Sequence, residues 1–139
     1  MAIKLKSARD FTPCAADEGD ELYPNGIFVF NITKMTEFIG ENPDAAPLKE
    51  VVVASIPQFS CSYDESYVEK ADVSKPVILA EIAPGRYNLI DGHHRMERAR
   101  RLGLEKLPAF WLNVEQHMKF LISQRAYEAY LEYWNSKLK

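Results

Sequence analysis

The pattern of apolar and polar positions along the chain predicts strands and helices that alternate in sequence. Apolar runs rich in β-branched and aromatic residues predict strands over residues 2–5, 27–32, 51–56, 77–82, 86–90 and 108–112. Two short stretches favour helices instead. Thr33 would cap a helix that ends at Gly40, and Asp64 would cap a helical turn or two through Ala71.

The clearest change of periodicity lies in the middle of the chain, where a predicted hairpin leads into an amphipathic helix. The sequence Ala83-Pro84-Gly85 connects two of the predicted strands and is typical of a tight turn. Over residues 93–102 the apolar spacing becomes helical. Glu97 and Arg101 are four residues apart in the order that stabilises a helix, and Gly103 fits the left-handed position that ends one.

The last part of the chain predicts one long helix over residues 114–136, opened by a capping box of Asn113 and Gln116. Such a helix would be about 35 Å long. Its apolar residues form two stripes, one of Met118, Ile122, Ala126, Ala129 and Tyr133 and one of Tyr127, Leu131, Trp134 and Leu138. Because one stripe is enough to dock a helix on its own domain, two stripes predict either a wide buried face or a homodimer through this helix.

Length and composition predict a single globular domain over residues 1–139, long enough to bury about two-thirds of its unfolded surface without a disulfide or metal. Cys14 and Cys61 lie far apart in sequence, so we expect reduced, structural thiols. No apolar run approaches the roughly 20 residues of a membrane span, and the N-terminal residues lack a secretory signal. We therefore expect a cytoplasmic protein with no membrane partner.

The charge of the whole chain and the charge of one segment favour different partners. A net charge of −3 is unusual for a dedicated duplex-DNA-binding protein. A basic patch nevertheless occurs within the predicted central helix and just after it, formed by Arg95, Arg98, Arg100, Arg101 and Lys106.

Candidate chemistry concentrates where the predicted hairpin meets this helix, in the sequence Asp91-Gly92-His93-His94-Arg95. Cations in a first helical turn oppose the helix dipole, each by about 0.3–1 kcal/mol when exposed. Clustering them there predicts that an anion compensates, and a phosphate at the helix N-terminus is the simplest candidate. Gly92 lets the backbone approach such a ligand closely. Asp91 would either accept hydrogen bonds from the first turn or hold Mg²⁺ beside the phosphate.

Simpler or different interpretations of these residues stay open. Asp91 would then be a plain N-cap, Gly92 a tight turn, and the two histidines surface residues. A serine or cysteine nucleophile paired with a histidine also stays open, although no nucleophile-elbow pattern supports one. We expect no zinc, because adjacent helical histidines point about 100° apart and the remaining histidine, His117, lies far away in sequence.

The same residues resemble the ParB/sulfiredoxin superfamily. The resemblance covers residues 75–112 and rests on Lys75-Pro76-Val77-Ile78-Leu79, Tyr87-Asn88-Leu89-Ile90-Asp91-Gly92-His93-His94-Arg95, Leu102-Gly103-Leu104 and Leu107-Pro108-Ala109. It implies an α+β, ParB/sulfiredoxin-like domain: a small mixed sheet with flanking helices, followed here by the long C-terminal helix. It also implies a bound nucleotide triphosphate or diphosphate with magnesium, whose phosphates lie at the Gly-x-x-Arg turn.

Carried over to this sequence, the resemblance implies that Gly92, His93 and the following amides cradle a phosphate. Arg95 would neutralise charge on the transferring phosphoryl group, and His94 would donate to a phosphate oxygen or move a proton. Asp91 would bind the metal or act as a base. His93 stands where relatives carry a cysteine or glutamate, which disfavours sulfinic acid reduction. A further carboxylate would come from Glu41, Asp64 or Glu65.

These features favour a small nucleotide-phosphate-binding protein that hydrolyses or transfers a phosphoryl group. One alternative is a nucleic-acid-binding or ParB-like nuclease module, in which Arg98, Arg101 and Lys106 extend the phosphate site along DNA. The other is a non-catalytic interaction protein on the same fold, with its C-terminal helix as the binding surface.

Overall fold

The computed structural model describes residues 4–5, 11–25, 28–56 and 64–138. Its strands are β1 (Leu22–Asn25), β2 (Phe28–Asn31), β3 (Leu48–Val52), β4 (Val77–Ala83), β5 (Arg86–Asp91) and β6 (Lys106–Leu112). Its helices are α1 (Ile32–Glu41), α2 (Glu65–Lys70), α3 (His93–Arg101), α4 (Val114–His117) and α5 (Gln124–Ser136). Residues 2–3 of the predicted first strand, and Cys61, lie outside the described residues, and residues 4–5 are not part of a strand.

The described strands form a two-stranded and a four-stranded sheet. β1 and β2 pair as an antiparallel hairpin, and the larger sheet has the strand order β3-β6-β4-β5. β4 runs parallel to β6, whereas β3–β6 and β4–β5 are antiparallel. The predicted mixed sheet and the predicted hairpin from β4 to β5 are therefore confirmed.

Alternate residues of β4 and β6 face two different hydrophobic layers. Val77, Leu79 and Ala109 pack with Met96 and Ala99 of α3. On the other side of the sheet, β4 and β6 contribute to a larger core that also includes residues of β2, α1 and α5. Their residues in this core are Ile78, Ala80, Ile82 and Leu112. The sheet thus carries α3 on one face and the C-terminal helix on the other, as expected for an α+β fold.

Helix α1 begins and ends two residues away from the predicted positions. Asn31 is its N-cap and accepts a hydrogen bond from the amide of Lys34 at 3.0 Å. Thr33 was predicted to be the cap, but its hydroxyl accepts from the amide of Glu21 at 2.8 Å. Gly40 lies within the last turn rather than ending the helix. The cap was wrong because a tertiary contact with residue 21 uses the threonine hydroxyl.

The buried strand predicted over residues 51–56 is also wrong. β3 ends at Val52, opposite Lys106 of β6, and Val53–Ser55 forms a 3₁₀ turn. β3 lies at the edge of the sheet, so most of its side chains are exposed and only Val51 is buried. The β-branched residues at 51–53 therefore continue from a strand into a turn.

The long C-terminal helix is replaced by two helices. The predicted capping box of Asn113 and Gln116 is confirmed, but α4 has a single turn and passes into a 3₁₀ turn over Met118–Phe120. α5 then begins at its own N-cap, Ser123. The backbone between α4 and α5 pairs with β2 instead of continuing a helix. Leu121 bridges to Phe30, and the amide of Ile122 donates to the carbonyl of Val29 at 3.1 Å.

The two apolar stripes predicted near the C-terminus do not remain on an outer surface. Ala126, Tyr127, Leu131 and Trp134 of α5 are all buried, and all four belong to the larger core. The wide buried face is therefore observed within one chain, and Trp134 is not placed to contact a partner helix. In the described ranges, no helix is long and apolar enough to cross a bilayer.

Glu81, in the middle of β4, connects several elements on the α5 side of the sheet. Its carboxylate accepts from the amide of Gly85 at 3.0 Å and from that of Val114 at 3.2 Å. Its carbonyl accepts from the hydroxyl of Tyr130 and from Nε2 of His117, both at 2.5 Å. Because a carbonyl can only accept, Nε2 carries the imidazole proton. Burial lowers the pKa of His117 to about 4.

Candidate functional site

The turn between β5 and α3 requires a glycine for two independent reasons. Gly92 is the N-cap of α3, with φ at 98° in the left-handed region. A Cβ at this position would lie 2.5 Å from Cγ1 and 3.0 Å from Cβ of Val77. Asp91 is the last residue of β5 and lies one residue before this N-cap, so only the alternative in which Asp91 is itself a plain N-cap is wrong. Gly92 itself therefore offers no side-chain acceptor to the first turn.

Arg95, in this first turn, is engaged by the protein itself. Its Nη2 lies 3.3 Å from Oδ2 of Asp91. Its Nη1 donates to the carbonyl of Pro76 and, at 3.5 Å, to that of Lys75. Arg95 thus fastens the segment before β4 to α3. The guanidinium that was predicted to neutralise a phosphoryl group already has three acceptors.

The two histidines each pack against a tyrosine from another element. The ring of His93 stacks on Tyr23 of β1, with centroids 5.3 Å apart and planes inclined by 22°. Burial lowers the pKa of His93, although the charge of nearby Asp91 opposes the shift. His93 is therefore mainly neutral at pH 7. The ring of His94 meets Tyr67 of α2 edge to face, with centroids 5.5 Å apart.

A cleft of about 620 Å³ opens at the N-terminus of α3. Its walls bring the predicted site residues Asp91, Gly92, His93, His94 and Arg95 together with side chains from β1, α2 and the turn before β4. The additional charged and aromatic lining residues are Glu21, Tyr23, Tyr67, Lys70, Asp72 and Lys75. Sequence reasoning did not assign these six to the site because none of them is adjacent to the Gly92 turn in sequence, and they meet it only through the tertiary fold.

The additional carboxylates of the cleft differ in environment. Burial raises the pKa of Glu21, and the nearby charge of Asp91 adds to the rise. Hydrogen bonds from the side chain and amide of Ser74 lower the pKa of Asp72. The three carboxylates predicted from sequence do not line the cleft. Glu41 ends α1, Asp64 caps α2, and Glu65 pairs with Arg101 at 2.5 Å.

The residues predicted to extend the site along a nucleic acid are not brought into the cleft. Arg98 donates to the carbonyls of Val68, at 3.4 Å, and Glu69. Arg101 pairs with Glu65 and Glu97. Lys106 is exposed at the start of β6, beyond the C-terminal end of α3, and lines a separate groove.

Glu97 forms the predicted pair with Arg101, but on the buried side of α3. Its carboxylate accepts from Arg101 Nε at 2.8 Å and from Arg100 Nη1 at 2.7 Å, and the residue is only 4% exposed. Burial by itself would raise the pKa of Glu97. The hydrogen bonds from Arg101 and Arg100 outweigh that effect and lower the pKa below its usual value.

The carboxylates of the cleft fit a magnesium ion only as partners of a bound phosphate. In the part of the chain that the structure describes, no group of three or more His, Cys, Asp or Glu side chains is arranged to hold a metal ion. Mg²⁺, however, is commonly held by one or two carboxylates together with substrate phosphate oxygens. Asp91 and Glu21 both line the cleft and are close enough to interact electrostatically, so these two carboxylates meet this description.

Comparison with known families agrees with this arrangement. Residues 44–124 match the ParB N-terminal domain, which covers more than half of the chain, including α2, α3 and the turn at Gly92. Glu21 and Tyr23 lie outside the matched residues. No curated protein is significantly similar to the chain. Together with the mixed sheet and its flanking helices, the match confirms the predicted fold, and the chain belongs to the ParB N-terminal domain family.

Proposed function

We propose that this protein binds the phosphate groups of a nucleotide in the cleft at the N-terminus of α3 and hydrolyses or transfers a phosphoryl group there. The observation that carries the proposal is that the N-terminal turn of α3, which begins at a glycine N-cap, lines a cleft that also holds two lysines and two histidines. Amides at a helix N-terminus and the helix dipole together favour an anion.

Each group of the cleft has a role in this proposal. The amides of the first turn orient a phosphate, and His94 donates to a phosphate oxygen or moves a proton. Asp91 and Glu21 would hold the magnesium that accompanies the nucleotide, and that ion would neutralise phosphate charge. Tyr67, which is 62% exposed beside His94, offers an aromatic face to a base. This last feature favours a nucleotide over a bare phosphate.

Direct binding measurements test the proposal. Calorimetric titration with ATP, CTP, GTP and ADP, each with magnesium, should give a dissociation constant below about 1 mM for at least one of them, or about −4 kcal/mol. Release of phosphate is measured in parallel. His94→Ala should slow that release by about 10²-fold or more if the imidazole moves a proton. Absence of binding by all four nucleotides at millimolar concentration would contradict the proposal.

DNA binding is the second candidate, and membership of the ParB N-terminal domain family is the finding that favours it. Against it, the side chains of Arg98 and Arg101 are used inside the domain. A mobility-shift titration with duplex DNA at 50 and 200 mM salt distinguishes the two functions. Salt-sensitive binding that is lost in Lys106→Gln would support DNA binding, because phosphate contacts release counterions.

A further inference from the structure

We propose that Lys70 and Lys75 are the cations that hold the bound phosphate, and that Arg95 is a positioning residue that sets Lys75 in place. The inference rests on the proposed function and deepens it. It reassigns the charge-neutralising role from the arginine of the Gly-x-x-Arg turn to two lysines outside that turn.

The first step is the state of Arg95. Its side chain is 22% exposed, and its two terminal nitrogens face the Asp91 carboxylate and the carbonyls of Pro76 and Lys75. To turn toward a phosphate, the guanidinium would have to leave these acceptors. Leaving a partly buried acceptor without a donor costs free energy that a new phosphate contact must first recover. Arg95 is therefore better suited to shape the cleft than to bind the ligand.

The second step is the state of the lysines. Lys70 ends α2, Lys75 precedes β4 by two residues, and both are exposed where they line the cleft. Neither lies within 4.0 Å of a carboxylate oxygen among the described residues. The nearby Asp72 uses Oδ1 to accept from the amide and hydroxyl of Ser74, at 3.0 and 2.5 Å. Flexible stems let both ammonium groups follow a phosphate.

Lys70 also lies in the last turn of α2, where a cation stabilises the helix dipole without any ligand. That role is already filled, because Arg98 donates to the carbonyls of Val68 and Glu69 at the same end. Lys70 is therefore available to the cleft.

The third step connects Arg95 to Lys75. Arg95 binds the carbonyl oxygen of Lys75 itself and that of the next residue, Pro76. The backbone from which the Lys75 side chain extends is thereby fixed relative to the first turn of α3. In this arrangement the amides orient the phosphate, the two lysines supply positive charge, and Arg95 acts through Lys75.

The experiment is calorimetric titration of the full chain with inorganic tripolyphosphate and, separately, with magnesium ATP. The variants are Lys70→Gln, Lys75→Gln, Arg95→Lys and the double variant Lys75→Gln/Arg95→Lys. Lys49→Gln, on exposed β3 outside the cleft, is the matched control. Circular dichroism spectra and melting curves establish that each variant is folded at the titration temperature.

We expect Lys70→Gln and Lys75→Gln each to weaken tripolyphosphate binding about tenfold, the change that corresponds to about 1.4 kcal/mol. Lys49→Gln should bind like the wild type. Arg95→Lys keeps the charge but loses the planar fork, so it should weaken binding by about threefold to tenfold. In the Lys75→Gln background it should add less than about twofold, because residues that act through one another are not additive.

Three results would overturn the inference: wild-type affinity in both lysine variants, wild-type affinity in Arg95→Lys, or full additivity in the double variant. The last result would mean that Arg95 contacts the phosphate directly. A wild-type protein that binds tripolyphosphate but no nucleotide would refute the proposed function and leave this inference standing. A wild-type protein that binds neither probe would refute both.

Discussion

The two ends of helix α3 are both basic, yet they use their charge differently. At the C-terminal end, Arg98, Arg100 and Arg101 all donate to acceptors of the same chain, where they also complement the negative end of the helix dipole. At the N-terminal end, the dipole opposes the cations, no side chain caps the amides, and a cleft lies open. The arginines of this helix are thus used within the fold, whereas the cations proposed for a ligand, Lys70 and Lys75, come from other segments of the cleft.

This difference shows that a cluster of basic residues in a sequence does not by itself indicate a binding surface. The arginines that looked most suitable for nucleic acid are those that the fold uses to attach α2 and to satisfy Glu97. The available cations, Lys70 and Lys75, are isolated in sequence and join the site only in three dimensions.

The largest loss of stability is expected at the N-terminal end of α3, from Gly92→Ala. The new Cβ would overlap Val77 and force a left-handed conformation on alanine, at a combined cost of about 3–4 kcal/mol. Urea denaturation measures the loss. Gly85→Ala is the matched control, because Gly85 also has positive φ, at 75°, but open space around its Cβ position. A loss for Gly92→Ala no larger than for Gly85→Ala would show that Val77 moves aside.

At the C-terminal end, Glu97→Gln removes the buried carboxylate that two arginines share. We expect the free energy of unfolding to fall by about 2–3 kcal/mol. This is less than for a fully buried pair, because both arginines are partly exposed. Glu65→Gln removes the exposed partner of the same Arg101 and should lower stability less than Glu97→Gln does, because solvent screens this pair. Tripolyphosphate affinity should stay at the wild-type level in both variants. Equal stability losses would contradict a distinction between buried and exposed partners.

The third histidine, His117, lies in the core rather than in the cleft, and we expect it to make stability depend on pH. The folded pKa of His117, about 4, lies below the unfolded value of about 6.5, so the unfolded state binds more protons between these values. Stability is therefore fully present above pH 6.5 and falls as the pH is lowered, by about 2 kcal/mol between pH 7 and pH 5. Urea denaturation at several pH values measures the slope. His117→Gln should lose most of it; an unchanged slope would assign the acid sensitivity to other groups.

The central part of the fold could be predicted from sequence because its signals are local. The turn at Pro84-Gly85, the periodicity of α3 and the left-handed Gly103 each depend on a few neighbouring residues, and all three are confirmed. The single C-terminal helix failed for the opposite reason. Nothing near Leu121 breaks a helical pattern, and the break comes from its pairing with Phe30, far away in sequence.

The candidate site divides in the same way. The segment from Asp91 to Arg95 could be found because it is contiguous and follows a strand. Glu21, Tyr23 and Tyr67 could not be found, because only the packing of β1 and α2 against α3 brings them to the cleft. Sequence also could not show that Arg95 is already occupied, since its acceptors are main-chain carbonyls about twenty residues earlier.

The contacts of Glu81 have a consequence for local opening of the protein. One residue of β4 accepts hydrogen bonds from the β4–β5 turn, from α4 and from α5. An opening that separates α5 from the sheet removes a donor from the Glu81 carbonyl, and movement of α4 exposes the Val114 amide to solvent. We therefore expect these elements to unfold as one cooperative unit, whose amides should exchange with deuterium at similar rates. Helix α3 packs on the opposite face of the sheet, and we expect its amides to exchange at a different rate.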